Sequence, residues 1–137
     1  MILDKYFSTR LELNENILKK NIEFLRKKVG NKTEIIAVLK ANAYGFGDII
    51  LAKKIIKQGI KNLAVADFEE GIRLRRNGIN HSIMVMYPSL NNLEPIIQNN
   101  LEPTIYSLEM LNMLIIQEKK YKKNILFHLK IDTGMCR

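Results

Sequence analysis

The chain has 137 residues, 47% of them apolar and 26% charged, a balance usual for a globular domain and enough chain to bury one core. Its net charge of +8 and pI near 9.6 would suit a nucleic-acid partner. However, the basic residues are scattered in pieces such as Lys19-Lys20, Arg26-Lys27-Lys28 and Arg73, Arg75 and Arg76, and Glu69, Glu70 and Glu118 interrupt them, so no nucleic-acid partner is expected.

No apolar run approaches the roughly 18–20 residues that span a bilayer, so no membrane partner is expected. The opening Met1-Ile2-Leu3-Asp4-Lys5 lacks the charged-then-apolar layout of a secretory signal. Cys136, the single cysteine, excludes an internal disulfide framework and zinc-type cysteine spacing. The expected compartment is a reducing cytoplasm.

Thr9 to Leu13 alternates polar and apolar residues and predicts a short strand. Asn14 is placed to cap a helix from Glu15 to about Val29, with Ile17, Leu18, Ile22, Leu25 and Val29 at helical spacing and Gly30-Asn31 ending it. Ile35 to Leu39 is a continuous apolar run between turn residues, which fits a strand buried on both faces. Asp48 is positioned to cap a helix from Ile49 to about Gln58, and Leu63 to Ala66 is the next buried strand. Asp67 precedes a helix from Phe68 to Asn77, closed by Gly78. Ile83 to Tyr87 reads as a strand broken by Pro88-Ser89, and Leu93 to about Asn99 as a short helix. Pro103 to Tyr106 is a strand. Ser107 caps a helix to about Tyr121, and Ile125 to Ile131 is the last strand. The methionines, including Met84, Met86, Met110 and Met113, read as core filling.

From Ile35 onward, strand starts recur about every 20–28 residues with helices between them. Such βα units favour a parallel sheet. Five strands are too few for a closed (β/α)₈ barrel of about 250 residues. The pattern alone therefore fits either a doubly wound sheet or an incomplete barrel.

Lys40 stands at the carboxyl end of the apolar run, followed by Ala41-Asn42-Ala43-Tyr44-Gly45-Phe46-Gly47. Alpha/beta folds place ligand chemistry at that end of their strands. A lysine there either marks the return of the chain to solvent or is held in apolar surroundings, where a neutral amine can attack a carbonyl.

The wording Ala37-Val38-Leu39-Lys40-Ala41-Asn42-Ala43-Tyr44-Gly45 resembles the A-V-x-K-A-N-A-Y-G-H-G motif of the alanine racemase family. His128-Leu129-Lys130-Ile131-Asp132-Thr133-Gly134-Met135-Cys136-Arg137 resembles that family's H-L-K-x-D-T-G-M-G-R segment. The resemblance covers the chain from about Thr9 and favours the barrel: an α/β fold, an incomplete TIM-type (β/α)₈ barrel of about five parallel strands. It implies that residues 1–137 are the N-terminal part of a barrel domain that binds pyridoxal 5′-phosphate, without the C-terminal β domain.

The activity implied is an isomerase converting L-alanine to D-alanine for bacterial peptidoglycan precursors. Lys40 would hold the cofactor as a Schiff base and act as catalytic base on one face of the α-carbon. Tyr44 would bind the cofactor phosphate. Arg137 would contact cofactor and substrate carboxylate. Lys130 matches a lysine that is carbamylated in some members and positions this arginine. The family's second base is a tyrosine from the partner subunit's C-terminal domain, which matches no tyrosine of this chain. The full-length protein is therefore expected to be a homodimer, and the chain alone to be inactive. Two departures from the motifs stand out: Phe46 replaces a usual histidine and Cys136 a usual glycine. The alternatives are a non-catalytic barrel protein that binds the same cofactor, or a truncated product without it. His81 is expected on a surface loop, and His128 as a satisfied core histidine rather than a ligand.

Overall fold

The structure is a computed structural model that describes residues 11–136. It divides into two compact units, one ending at Thr33 and one beginning at Glu34. The first contains α1 (Glu15–Val29), where the Asn14 side chain accepts hydrogen bonds from the amides of Asn16 and Ile17, as the cap reading requires. Gly30 closes the helix at φ 81°, a backbone setting that costs glycine little. The expected strand before α1 is not formed by Leu11–Leu13, and Thr9 and Arg10 lie outside the described residues. Alternation marks a strand only where a neighbour completes its hydrogen bonds, and Leu11 is exposed.

The second unit is a run of βα units. Its elements are β1 (Ile36–Val38), a short turn α2 (Lys40–Tyr44), α3 (Asp48–Lys57), β2 (Asn62–Val65), α4 (Phe68–Arg76) and β3 (Ser82–Val85). A 3₁₀ turn (Leu90–Asn92), α5 (Leu93–Gln98), β4 (Glu102–Ile105), α6 (Leu108–Tyr121) and β5 (His128–Leu129) follow. The five strands form one sheet in the order β1-β2-β3-β4-β5, every neighbouring pair parallel. Doubly wound sheets reverse their strand order at a switch point, whereas a barrel adds each strand beside the last. The unbroken order is barrel winding.

Burial follows this layout. Leu63, Ala64 and Val65 of β2 are each fully buried, as are Ile83 and Val85 of β3. Helices cover one face: α4 packs on β2 and β3, and α5 on β4 and between α4 and α6. Leu93, Ile97, Ile105, Met110 and Leu114 form one cluster of this core. Gly71 lets α4 approach closely, since a Cβ there would lie 2.8 Å from a Leu101 methyl. Met110 fills core as expected, whereas Met84 and Met86 line a hollow on the sheet.

Three expectations are corrected. β1 is not buried on both faces: Ile36 and Val38, which share one face by alternation, are 41% and 39% exposed, so that face is left uncovered, and among the described residues β1 pairs with β2 alone. β5 is shorter than Ile125–Ile131, because only Thr104 and Ile105 offer it register partners, with one further bond from Lys130 N–H to the Ile105 carbonyl. Asp48 does not cap α3 as a preceding residue. It is the first helical residue, its amide bonds to Asn42 Oδ1, and its carboxylate is taken by Arg73.

Candidate active site at the carboxyl ends of the strands

Parallel strands bring their carboxyl ends to one rim, and the chemistry-bearing residues collect there. Lys40 follows β1 and is half-buried, directly after the fully buried Leu39. The Leu39 amide continues the ladder to the Ala64 carbonyl at 2.7 Å, so the backbone entering Lys40 is fixed by the sheet.

The next residues leave the strand in an unusual way. Ala41, Asn42, Ala43 and Tyr44 have φ of 52°, 54°, 53° and 56°, a left-handed helical turn built from residues other than glycine. Such a conformation costs roughly 1–2 kcal/mol per residue for an L-amino acid. Several bonds compensate. Ala43 N–H donates to the Leu39 carbonyl, and Gly45 N–H is shared between the Ala41 and Asn42 carbonyls. Ala43 is 1% exposed. Gly45 and Gly47, with φ of 89° and 90°, then return the chain to α3. Tyr44 is left 62% exposed, its ring presented to solvent, and Phe46 is also exposed.

Two acidic residues hold this turn from neighbouring elements. Glu70 on α4 accepts from Ala41 N–H through Oε1 at 2.7 Å and from Ala66 N–H through Oε2 at 2.8 Å. One carboxylate thus ties the segment after β1 to the segment after β2. Asp48 is 2% exposed. Its Oδ2 accepts from Arg73 Nε and Nη2 at 2.9 and 2.6 Å, and its Oδ1 from Ile49 N–H. This pairing lifts the Arg73 pKa: the hydrogen bond to Asp48 is the largest cause, partly opposed by burial and reinforced by the charges of Asp48, Glu70 and Asp67.

The rim beyond β3, β4 and β5 carries the other sequence-marked residues. A hollow of about 700 Å³ is lined by Met86, Tyr87, Pro88, Ser89, Tyr106, Lys130 and Asp132. A second, of about 510 Å³, shares Lys130 and Asp132 and reaches Thr104 and His128. The Lys130 ammonium lies 5.9 Å from the centre of the Tyr87 ring, an approach that favours a cation over the π face. Tyr106 Oη donates to the Pro88 carbonyl. Asp132 accepts from the amides of Gly134 and Cys136. These bonds, and a smaller one from Met135, hold its pKa below the usual carboxylate value against a small opposing effect of burial. Cys136, where the motif has glycine, sits at φ 56°. His128 is bonded to Glu102 at 2.9 Å, satisfied as expected, but it is half-exposed and not a core residue. His81 is intermediate in exposure, in the loop before β3, and its carbonyl accepts from Arg75.

The structure therefore joins Lys40 and Tyr44 on one turn, and Lys130 with Tyr87, Tyr106 and Asp132 in one hollow. Lys40 and Tyr44 line neither hollow, and Arg137 lies outside the described residues. Sequence reasoning missed Glu70 and the Asp48–Arg73 pair. The Asp67-x-x-Glu70 spacing signals a capping box, and Asp67 does accept from Glu70 N–H. The Glu70 carboxylate, however, is diverted to Ala66 and Ala41.

The family described as alanine racemase, N-terminal domain, matches residues 13–137. The chain belongs to the alanine racemase family. It is 40% identical over 114 residues to the alanine racemase of Carboxydothermus hydrogenoformans, covering 81% of this chain and 30% of that protein. It is also 40% identical over 127 residues to that of Clostridium perfringens strain SM101, covering 92% and 33%.

Among solved structures, alanine racemase from Oenococcus oeni superposes with a TM-score of 0.84 at 30% identity, over 96% of this chain and 37% of that one. Alanine racemase of Clostridium difficile 630 in complex with cycloserine gives 0.83 at 36% identity, over 88% and 33%. The sheet and helices are thus part of the family's barrel domain, and the chain spans about a third of the length of its curated relatives. A histidine racemase from Leuconostoc mesenteroides, 24% identical with a TM-score of 0.81, shares the fold.

Proposed function

We propose that residues 1–137 are the N-terminal part of a pyridoxal 5′-phosphate-dependent alanine racemase, with Lys40 as its cofactor lysine. What supports the reading most is the coincidence of the Lys40 motif with the carboxyl end of β1 in a chain of this family. The donor set fits the cofactor. A half-buried amine at a fixed strand end suits imine chemistry with an aldehyde. An exposed phenol four residues on, Tyr44, is free to swing its hydroxyl toward a phosphate, and Gly45 and Gly47 just after it keep that stretch of backbone open to close approach. When bound, this cofactor supplies an electron sink for the charge left at the α-carbon.

Lys40 Nζ binds the cofactor and then moves a proton to or from one face of the substrate α-carbon. Tyr44 Oη donates to the phosphate. Arg137 binds the substrate carboxylate with its planar fork. Lys130 positions Arg137. As an ammonium it would repel that guanidinium, whereas carbamylation turns it into an acceptor. Intact mass in bicarbonate buffer tests this modification, and a mass without the added carboxyl group opposes it. The second base belongs to a segment outside this chain, contributed by the partner in a homodimer. The cytoplasm is the compartment proposed, and D-alanine for peptidoglycan the product's use.

A chimera tests the whole reading. The chain is fused in frame to the remaining two-thirds of the Clostridium perfringens relative, and D-alanine formation from L-alanine is followed. The chain alone should give no turnover and the chimera should racemise. Lys40→Ala in the chimera should abolish turnover. A folded Lys40→Ala chimera as active as its parent overturns the assignment.

A further inference from the structure

We propose that α4 braces the Lys40 turn, with Glu70 as a positioning residue that sets where the Lys40 amine sits. This deepens the function proposed above and rests on it for the meaning of Lys40. The brace itself rests on geometry alone.

Lys40 is followed by four consecutive residues in the left-handed region, a conformation that short-range forces do not favour and surrounding structure must hold. The first of those residues, Ala41, gives its N–H to Glu70 Oε1, and Ala66 gives its N–H to Oε2. Both bonds have an ionised acceptor, the stronger class of hydrogen bond. Three residues further along α4, one helical turn away, Arg73 grips Asp48. The Asp48 N–H is in turn held by Asn42 Oδ1. One face of α4 therefore fixes the turn directly at Ala41 and, through Asp48, at the next residue, Asn42.

A helix-terminal role alone does not explain this arrangement. Glu69 and Glu70 both lie in the first turn of α4, where either carboxylate suits the positive end of the helix dipole. Only Glu70 bridges two strand ends, and one of them adjoins Lys40. Glu70→Gln is near-isosteric but leaves only one accepting oxygen. Its amide would face one of the two N–H groups with another donor. Glu69→Gln removes the same charge from the same helix turn and leaves the bridge intact, so it serves as the matched control.

Two readouts are taken on the full chain. Amide hydrogen exchange at Ala41 and Ala66 should speed up by at least about tenfold in Glu70→Gln, as for loss of a bond to a charged acceptor. Amides in α6 and all amides in Glu69→Gln should stay at wild-type rates. Separately, the chain is treated with pyridoxal 5′-phosphate and borohydride, and labelled lysines are located by peptide mass. The share of label on Lys40 should fall about tenfold in Glu70→Gln relative to the exposed lysines and stay at the wild-type level in Glu69→Gln. Unchanged exchange at both amides in Glu70→Gln, or equal acceleration in the control, overturns the brace. Faster exchange with an unchanged label share overturns the positioning role. If the wild-type chain takes no label at Lys40, the cofactor reading fails, while the exchange result still decides the brace.

Discussion

Removing either partner of the Asp48–Arg73 pair should have unequal consequences. The Asp48 carboxylate is 3% exposed and the Arg73 side chain 46% exposed. Arg73→Met keeps the length of the side chain but leaves a buried carboxylate with the Ile49 amide as its remaining bond to the protein. Breaking a buried pair in this way costs about 3–5 kcal/mol. Because the guanidinium side is nearly half open to water, which screens the pair, the expected loss is nearer 2–4 kcal/mol.

Asp48→Asn is milder. The amide oxygen can still accept from Ile49, and Arg73 can turn its charge into solvent, so the cost stays at about 1.5–3 kcal/mol, the range for bonding to a charged group, without a stranded buried charge. Urea unfolding followed by circular dichroism measures both, with the slope of each transition checking that the same surface is exposed. Equal losses, or a larger loss for Asp48→Asn, would refute the argument that burial of the carboxylate governs the energetics of this pair.

Cys136→Gly should relax the left-handed residue at φ 56° by about 1 kcal/mol, seen as roughly fivefold slower exchange at the Gly134 and Cys136-position amides; faster exchange would show that the turn is unstrained. Leu74, fully buried on α4, should lose about 2–5 kcal/mol as Leu74→Ala, read from the urea midpoint. Acid should loosen the Asp132 turn. The folded pKa of Asp132 is lowered by its backbone bonds, so its contribution is present above the ordinary value of 3.8 and is lost as pH falls through the lower folded value. Exchange at the Gly134 and Cys136 amides, corrected for intrinsic rate, should rise below that point in the wild type but show no such step in Asp132→Asn.

How much was legible depended on how local the cause was. Asn14 and Ser107 act as helix caps within a few residues of themselves, and both accept amides of the first helical turn as expected. The βα rhythm was legible because apolar runs and helical stripes are local patterns as well. The exposure of Ile36 and Val38 was not, since five apolar residues in a row read alike in a central strand and an edge strand. Only what covers each face decides, and among the described residues β1 has one strand neighbour and an open face at Ile36 and Val38. The site divided in the same way. Lys40 was marked by motif and by strand-end placement, and Lys130 by motif. The left-handed turn after Lys40 was hidden, because Ala-Asn-Ala-Tyr carries no glycine to announce positive φ. Glu70 was hidden because its partner Ala41 lies 29 residues away in sequence, and a long-range bond of this kind leaves no local pattern.

The central claim is that Lys40 is the cofactor lysine, and covalent trapping addresses it most directly. The chain is incubated with pyridoxal 5′-phosphate, reduced with borohydride, digested and mapped by mass. The account predicts one dominant pyridoxyl-lysine, at Lys40, and its disappearance in Lys40→Ala without transfer to another single site. Label spread evenly over the exposed lysines, or concentrated on any lysine other than Lys40, would contradict it.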